Sequence, residues 1–227
     1  LLWLGFPEDS VVNCDRKYPG RDEEDLQVDF EKCLLVVEVK GIGGTSTDAD
    51  CGQVAKYRYR RSKERGNHDV YALYIVNHQR YIPPLDRQNP PFSEDQVEDA
   101  REDERGLLTT YSLFKLYFAI EGGCVTKEAA RGALLESGMV RFPPRESQVL
   151  GEQPELHYGG TVLTSESLRT SLRVGDRLLI YEAGKCSETE VVNLRNEDED
   201  DVTETCEGPV GIELSSAMTE AAILLKP

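Results

Sequence analysis

The sequence has no apolar run long enough to span a bilayer. Stretches such as Leu34 to Val37 fall far short of the roughly 18 residues a membrane helix needs, so no membrane association is expected. The six cysteines (Cys14, Cys33, Cys51, Cys124, Cys186 and Cys206) form no CxxC pair, and no histidine lies at zinc-ligand spacing from them. That argues against a zinc site or a dense disulfide framework, and reduced thiols in a cytoplasmic protein are expected. There is no phosphate-cradling loop of Walker type, because Gly41-Ile42-Gly43-Gly44 is not followed by Lys and Ser or Thr. GxSxG and HExxH are missing too, which excludes the common hydrolase elbow and zinc-protease patterns. The N-terminus, Leu1 to Phe6, is apolar but has no basic region before it and no cleavage site, so it does not read as a signal peptide. With no initiating Met, the chain reads as a fragment or as a product whose beginning is missing.

Positive charge is also scarce. Lys and Arg number 26 against 42 Asp and Glu, a net charge of −16. Phosphate binding favours a basic surface, so this balance counts against nucleic acid as a partner without deciding chemistry. The deficit is uneven. Residues 1–140 hold 18 basic and 25 acidic side chains, whereas residues 141–227 hold 8 and 17, including the run Glu197 to Asp201.

The pattern along the chain divides it in two. Leu26 and Val28 alternate with polar residues as a half-buried strand does, and a turn near Phe30-Glu31-Lys32 leads into Cys33 to Lys40, apolar on both faces until its polar end. That is a hairpin whose second strand is central to a sheet. A Gly/Ser/Thr-rich stretch from Gly41 to Asp50 follows, then a helix from Gly52 to about Glu64 and a buried strand from Val70 to Val76. Residues 81–105 are polar, with an acidic stretch compatible with a helix. Leu107 to Ile120 carries apolar residues at helical spacing, read as core packing, and Thr126 is placed to cap a helix from Lys127 to Glu136. Pro143-Pro144, Gly151 and Pro154 mark a boundary, giving domains at 1–140 and 158–227 with a linker at 141–157. Beyond it, short apolar runs between turn residues predict a small all-β barrel, with 197–201 as a solvated hairpin loop.

The residues that point to chemistry are Glu38-Val39-Lys40, at the polar end of a buried strand, and Asp25, at the start of the strand before it. Period-2 geometry puts Glu38 and Lys40 on one side. If the two strands pair, the start of one lies beside the end of the other, and Asp25 converges on Glu38. Two carboxylates and the Val39 carbonyl make a hard oxygen site suited to Mg²⁺, and Lys40 supplies a cation beside it. Lys56-Tyr57-Arg58-Tyr59-Arg60-Arg61 is a basic segment interleaved with aromatics. It reads either as a grip on phosphates with Tyr57 or Tyr59 stacking on a base, or as a solvated helix face. His68, His78 and His157 read as surface or loop histidines.

Over about residues 21–92 these features resemble the PD-(D/E)xK superfamily, the restriction-endonuclease-like fold. Asp25, the EVKG run Glu38 to Gly41 and Gln53-Val54-Ala55-Lys56-Tyr57, similar to the QxxxY motif of RecB-type nucleases, occur in order, followed by Pro83-Pro84 and Arg87. Glu24 stands where that family usually has Pro, and Asp29 is the rival aspartate. The resemblance implies an α/β nuclease domain with a mixed sheet flanked by helices. It also implies Asp25 and Glu38 as ligands of Mg²⁺ or Mn²⁺, Lys40 as the catalytic lysine, and Gln53 and Tyr57 near the metal or the nucleic-acid backbone. Lys56, Tyr57, Arg60 and Arg61 are the expected nucleic-acid contacts, with DNA favoured over RNA and defence or repair as the setting. The alternative is a catalytically inactive nuclease fold acting as a sensor or scaffold. Leu172 to Ile180 and Glu207 to Leu214 resemble the second-domain β-barrel of translation elongation factors, whose acidic character here suits a protein partner.

Overall fold

The computed structural model describes residues 1–17, 19–20, 23–30, 32–66, 69–144, 147–182, 184–206 and 208–226. Arg21, Asp22, Glu31, His68 and Glu207 of the expectations above lie outside them. The chain forms two units, Leu1–Phe114 with Lys127–Phe142, and Lys115–Thr126 with Pro143–Pro227. The expected linker is therefore not one. Val149 and Leu150 are core residues of the second unit, and Glu155–His157 is one of its strands.

The first unit is built on a mixed sheet. β1 (Val11–Asn13) precedes a single helical turn, α1 (Cys14–Lys17), and was not legible in the sequence. β2 (Leu26–Phe30) and β3 (Cys33–Gly41) form the expected antiparallel hairpin. α2 (Asp48–Arg65) then crosses to β4 (Val70–Asn77) and α3 (Glu94–Glu102) to β5 (Arg105–Thr109); α4 (Thr110–Glu121), which belongs to the second unit from Lys115 on, and α5 (Lys127–Ala133) precede β6 (Gly138–Met139) in the chain. The sheet order is β1-β2-β3-β4-β5-β6, antiparallel up to β3 and parallel after it. Parallel strands need crossovers, which is why helices longer than the single turn of α1 intervene only after β3.

β3 is buried on both faces. Leu34 and Val36 pack with Val54 of α2 and with Tyr74 and Val76, while Leu35 and Val37 alternate to the opposite face, fully buried. Two sequence expectations shift here. Leu107 and Leu108 belong to β5, because a short apolar run has no period of its own and both residues are buried in the sheet. On α4, Leu116 and Ala119 are buried, but Phe114, Tyr117 and Phe118 lie largely exposed, so the aromatic stripe is not a core stripe.

The second unit is a curled antiparallel sheet in half-barrel form. Its strands are β7 (Glu155–His157), β8 (Val162–Ser165), β9 (Leu172–Arg173), β10 (Arg177–Glu182), β11 (Lys185–Arg195), β12 (Asp201–Val202), β13 (Glu204–Thr205), β14 (Val210–Leu214) and β15 (Ile223–Leu225). The main path runs β15-β10-β11-β14-β8-β7, with β12 beside β11 and β9 paired to β13. Leu163, Leu178, Val191, Leu194, Ile212 and Leu224 fill its core. The acidic run sits where expected, in the turn between Arg195 and Asp201, which pair across β11 and β12. Gly175 turns the chain into β10 with φ of 89°, a left-handed conformation that glycine adopts without strain. The thiols depart from expectation, since Cys124 and Cys186 are joined as a disulfide. Among the described residues, no helix is long and apolar enough to cross a membrane.

Candidate active site

The hairpin brings the two expected carboxylate positions together. Its register pairs Leu26 with Val37, and continuing it by one residue sets Asp25 opposite Glu38. The Asp25 Oδ2 accepts the Val39 backbone N–H at 2.6 Å, fixing that carboxylate at the end of β3. Glu38 is 6% exposed, on the α2 side of the sheet, and Lys40 follows on the same side one pleat along. The rival aspartate is elsewhere. Asp29 lies opposite Leu34 at the far end of the hairpin and pairs with Arg65 at 3.2 Å.

Helix α2 holds the lysine. It begins at Asp48, four residues before the position expected from its apolar residues, because Thr47 and Asp50 form a reciprocal capping box. The Lys40 ammonium donates to Asp50 Oδ1 at 3.1 Å and to Gln53 Oε1 at 2.6 Å, one helical turn apart. Gln53 Nε2 in turn donates to the Tyr57 hydroxyl at 2.9 Å. The QxxxY spacing is thus an i,i+4 chain of hydrogen bonds that ends on Lys40. Asp50 is a member of this group that sequence reasoning missed. Thr47-x-x-Asp50, the signature of a helix start, was the available signal.

The titratable groups diverge. Burial pushes the Asp25 carboxyl above its ordinary range, opposed by the Val39 N–H, and Asp15 adds to the rise. Asp50 is held below its range, first by its hydrogen bonds to Thr47 and then by Lys40. Tyr74, in register with Glu38 on the adjoining strand, donates or accepts with Ser46 at 3.2 Å and has its phenol pushed to about 12 by burial.

The basic segment of α2 is turned inward to a degree the sequence did not show. Arg61 Nε donates to Glu24 at 2.7 Å, with further contacts to Glu23 and Glu64, and Arg60 donates to Glu23 at 2.6 Å. Arg58 bonds Glu104 and the Val70 carbonyl, and Arg65 bonds Asp29. Glu24 is fully buried. Burial alone would raise its pKa, but hydrogen bonds from Arg61 and Gln27 outweigh it and hold the carboxyl below its ordinary range. The stripe that buries Val54 and Tyr57 continues to Arg61 at i+4 from Tyr57, which places that guanidinium against the start of β2. Tyr57 is 4% exposed, with Arg60 over its ring at 5.3 Å, so it has no free face to stack on a base. Its expected stacking role is corrected to an internal one. Lys56 stands exposed, and His78 is the loop histidine expected but a buried one, its Nε2 bonded to the Gln88 carbonyl at 3.1 Å.

Among the described residues, no three His, Cys, Asp or Glu side chains gather as a metal-holding group. No protein-family model matches the chain, and no curated protein does. Solved structures that share some of its course include the C-terminal domain of a Geobacillus thermoleovorans U32 peptidase, with 14% identity and a TM-score of 0.28, covering 36% of this chain and 89% of that one. A bacterial selenocysteine-specific elongation factor matches with 10% identity and a TM-score of 0.28 over 69% of this chain and 26% of its own length. The Methanococcus maripaludis elongation factor SelB matches with 11% identity and a TM-score of 0.27 over 85% and 40%. Likenesses of this size carry no argument about function.

Proposed function

We propose that this chain is a metal-dependent nuclease of restriction-endonuclease-like fold that hydrolyses phosphodiester bonds, with DNA as the favoured substrate. The reading is carried by one juxtaposition. Asp25 is bonded to Val39, one residue from Glu38, and Lys40 stands on the Glu38 side of the same strand. Asp25, Glu38 and the Val39 carbonyl are hard oxygen donors. Mg²⁺ or Mn²⁺ suits them without a third acidic side chain, because Mg²⁺ keeps several waters and takes only one or two protein carboxylates. Such an ion, when bound, supplies a water of lowered pKa and stabilises charge on the phosphate. Lys40 donates to a phosphate oxygen or orients the attacking water. Gln53 positions Lys40, since the Tyr57 hydroxyl accepts from its Nε2 and leaves its Oε1 facing the ammonium. Asp50 pairs with that ammonium at 3.1 Å and fixes its position from the other side.

The test is cleavage of plasmid, linear duplex, single-stranded DNA and RNA with Mg²⁺, Mn²⁺ or EDTA, comparing the wild type with Lys40→Ala. Metal-dependent cleavage that Lys40→Ala abolishes supports the reading, and no cleavage by the wild type under any condition overturns it. A second reading, an inactive nuclease fold that binds nucleic acid or a protein through the acidic β unit, draws on the engagement of Lys40 by Asp50 and Gln53. It expects no rise in thermal stability with Mg²⁺.

A further inference from the structure

With Arg58, Arg60, Arg61 and Arg65 bonded to carboxylates, the arginines of α2 offer a phosphate chain little uncompensated charge. The loop after β4 holds two whose contacts are with neutral groups. Arg80 donates to the Gly41 carbonyl at 3.1 Å and to the Tyr81 hydroxyl at 2.5 Å. Arg87 donates to the Ile82 carbonyl at 2.8 Å and to Asn77 Oδ1 at 2.7 Å. Asp86 is the one acidic residue between 78 and 88. Neutral acceptors leave each guanidinium its full charge, whereas a carboxylate partner offsets it.

The same loop presents a ring to solvent. Tyr81 is 76% exposed, with the Arg80 guanidinium over its face at 4.8 Å. The backbone beneath is fixed rather than loose. Gln79 N–H donates to the Gly44 carbonyl at 2.8 Å, Arg80 N–H to the Ile42 carbonyl at 3.0 Å, and Gln88 N–H to the Gln79 side chain at 2.6 Å. Gln79 adopts φ of 47°, a strained conformation that such a bonded frame can hold. An aromatic residue kept in the open by a braced loop contributes little to folding. It is placed as a binding element is. The loop lies at the carboxyl ends of the parallel strands β3 and β4, and Arg80 reaches the carbonyl of the residue directly after Lys40.

We infer that the loop at residues 78–88 receives a single-stranded nucleic-acid segment beside the active site, with Tyr81 stacking on a base and Arg80 contacting phosphate. Every base offers a π face to an exposed ring, and in a duplex those faces are already stacked, so this surface selects an unpaired strand. The choice of ligand rests on the nuclease reading.

Binding of labelled oligothymidylate and oligouridylate to the full chain in EDTA, read by fluorescence anisotropy beside a matched duplex, tests it. The wild type binds single strands more tightly than duplex. Tyr81→Ala weakens single-strand binding about tenfold or more, and Tyr81→Phe retains it. Arg80→Gln makes the dependence of log affinity on log salt shallower by about 0.7. Tyr59→Ala, which removes a 62% exposed tyrosine on α2, leaves binding unchanged. Wild-type affinity in Tyr81→Ala, a preference for duplex, or no binding of any oligonucleotide by the wild type overturns the inference. Tyr81-dependent binding without metal-dependent cleavage would sink the nuclease reading and leave this surface standing. Cleavage with binding indifferent to Tyr81 would do the reverse.

Discussion

The two units handle charge in opposite ways. In the α/β unit carboxylates and guanidinium groups meet in the interior. Glu24 is fully buried against Arg61, and Asp25, half-buried, sits at the end of β3. The β unit has the larger acidic excess, yet pairs such as Arg195 with Asp201 and Arg173 with Glu204 are exposed on both sides. An exposed pair is worth little, while a buried one must be complete or it is costly. Net charge therefore misleads in both directions here. The β unit's excess is a solvated surface, and the α/β unit's basic run is mostly neutralised by its own carboxylates.

The largest expected break in this contrast is Glu24→Ala. It leaves Arg61 with Glu23 and Glu64 alone, and the α/β unit should lose about 3 kcal/mol of stability. Trp3 is the chain's one tryptophan and lies in that unit, so its fluorescence during urea unfolding reads the loss directly. Because the Glu24 pKa is depressed in the folded state, its contribution is present above the ordinary glutamate range and disappears as pH falls through the depressed value. The Trp3-reported transition should weaken in acid accordingly, and less so in Glu24→Gln.

Next comes the disulfide, both ends of which belong to the β unit. Cys186→Ser, or reduction of the wild type, should lower that unit's stability by roughly 2–4 kcal/mol and leave the Trp3 transition in place. Calorimetry that resolves two transitions would show which one moves.

Asp25→Asn sharpens the contrast with a change of opposite sign. The Asp25 pKa is raised on folding, so the stability linked to it is present below the ordinary aspartate range and is lost as pH rises through the elevated value. Removing the charge while keeping an acceptor for the Val39 N–H should raise thermal stability at neutral pH. It should also abolish any rise in melting temperature with Mg²⁺. A fall in stability at neutral pH would show that the carboxylate is held for its bonds alone. The smallest effect is expected at Asp201→Asn, where an exposed pair is cut and the melting temperature should not change measurably.

Much of the frame was legible because it depends on local pattern. The β2–β3 hairpin, β4, α3, α5 and most strands of the β unit follow alternation or helical spacing bounded by turn residues. The misses have physical causes. The short apolar run at Leu107 and Leu108 carries no period, and the start of α2 was set by a cap rather than by apolar residues. The aromatic residues of α4 follow a helical period although much of that face is exposed. Within the site, Asp25, Glu38, Lys40 and Gln53 were visible as types at suggestive spacings. Asp50 as their partner, and Arg80 and Tyr81 beside them, were not.

By itself the sequence determined most of the elements and the order of the polar residues within them, since a strand's alternation and a helix's caps are properties of neighbours in the chain. Only the tertiary structure decided which charges meet. Arg60 and Arg61 read as free cations until the packing of α2 placed them on Glu23 and Glu24, tens of residues away in the chain. Tyr57 and Tyr81 are the same residue type in similarly basic company, yet one is buried on the inner face of α2 and the other stands on a braced loop. Burial and ion pairing are set by long-range contacts, and no local pattern specifies them.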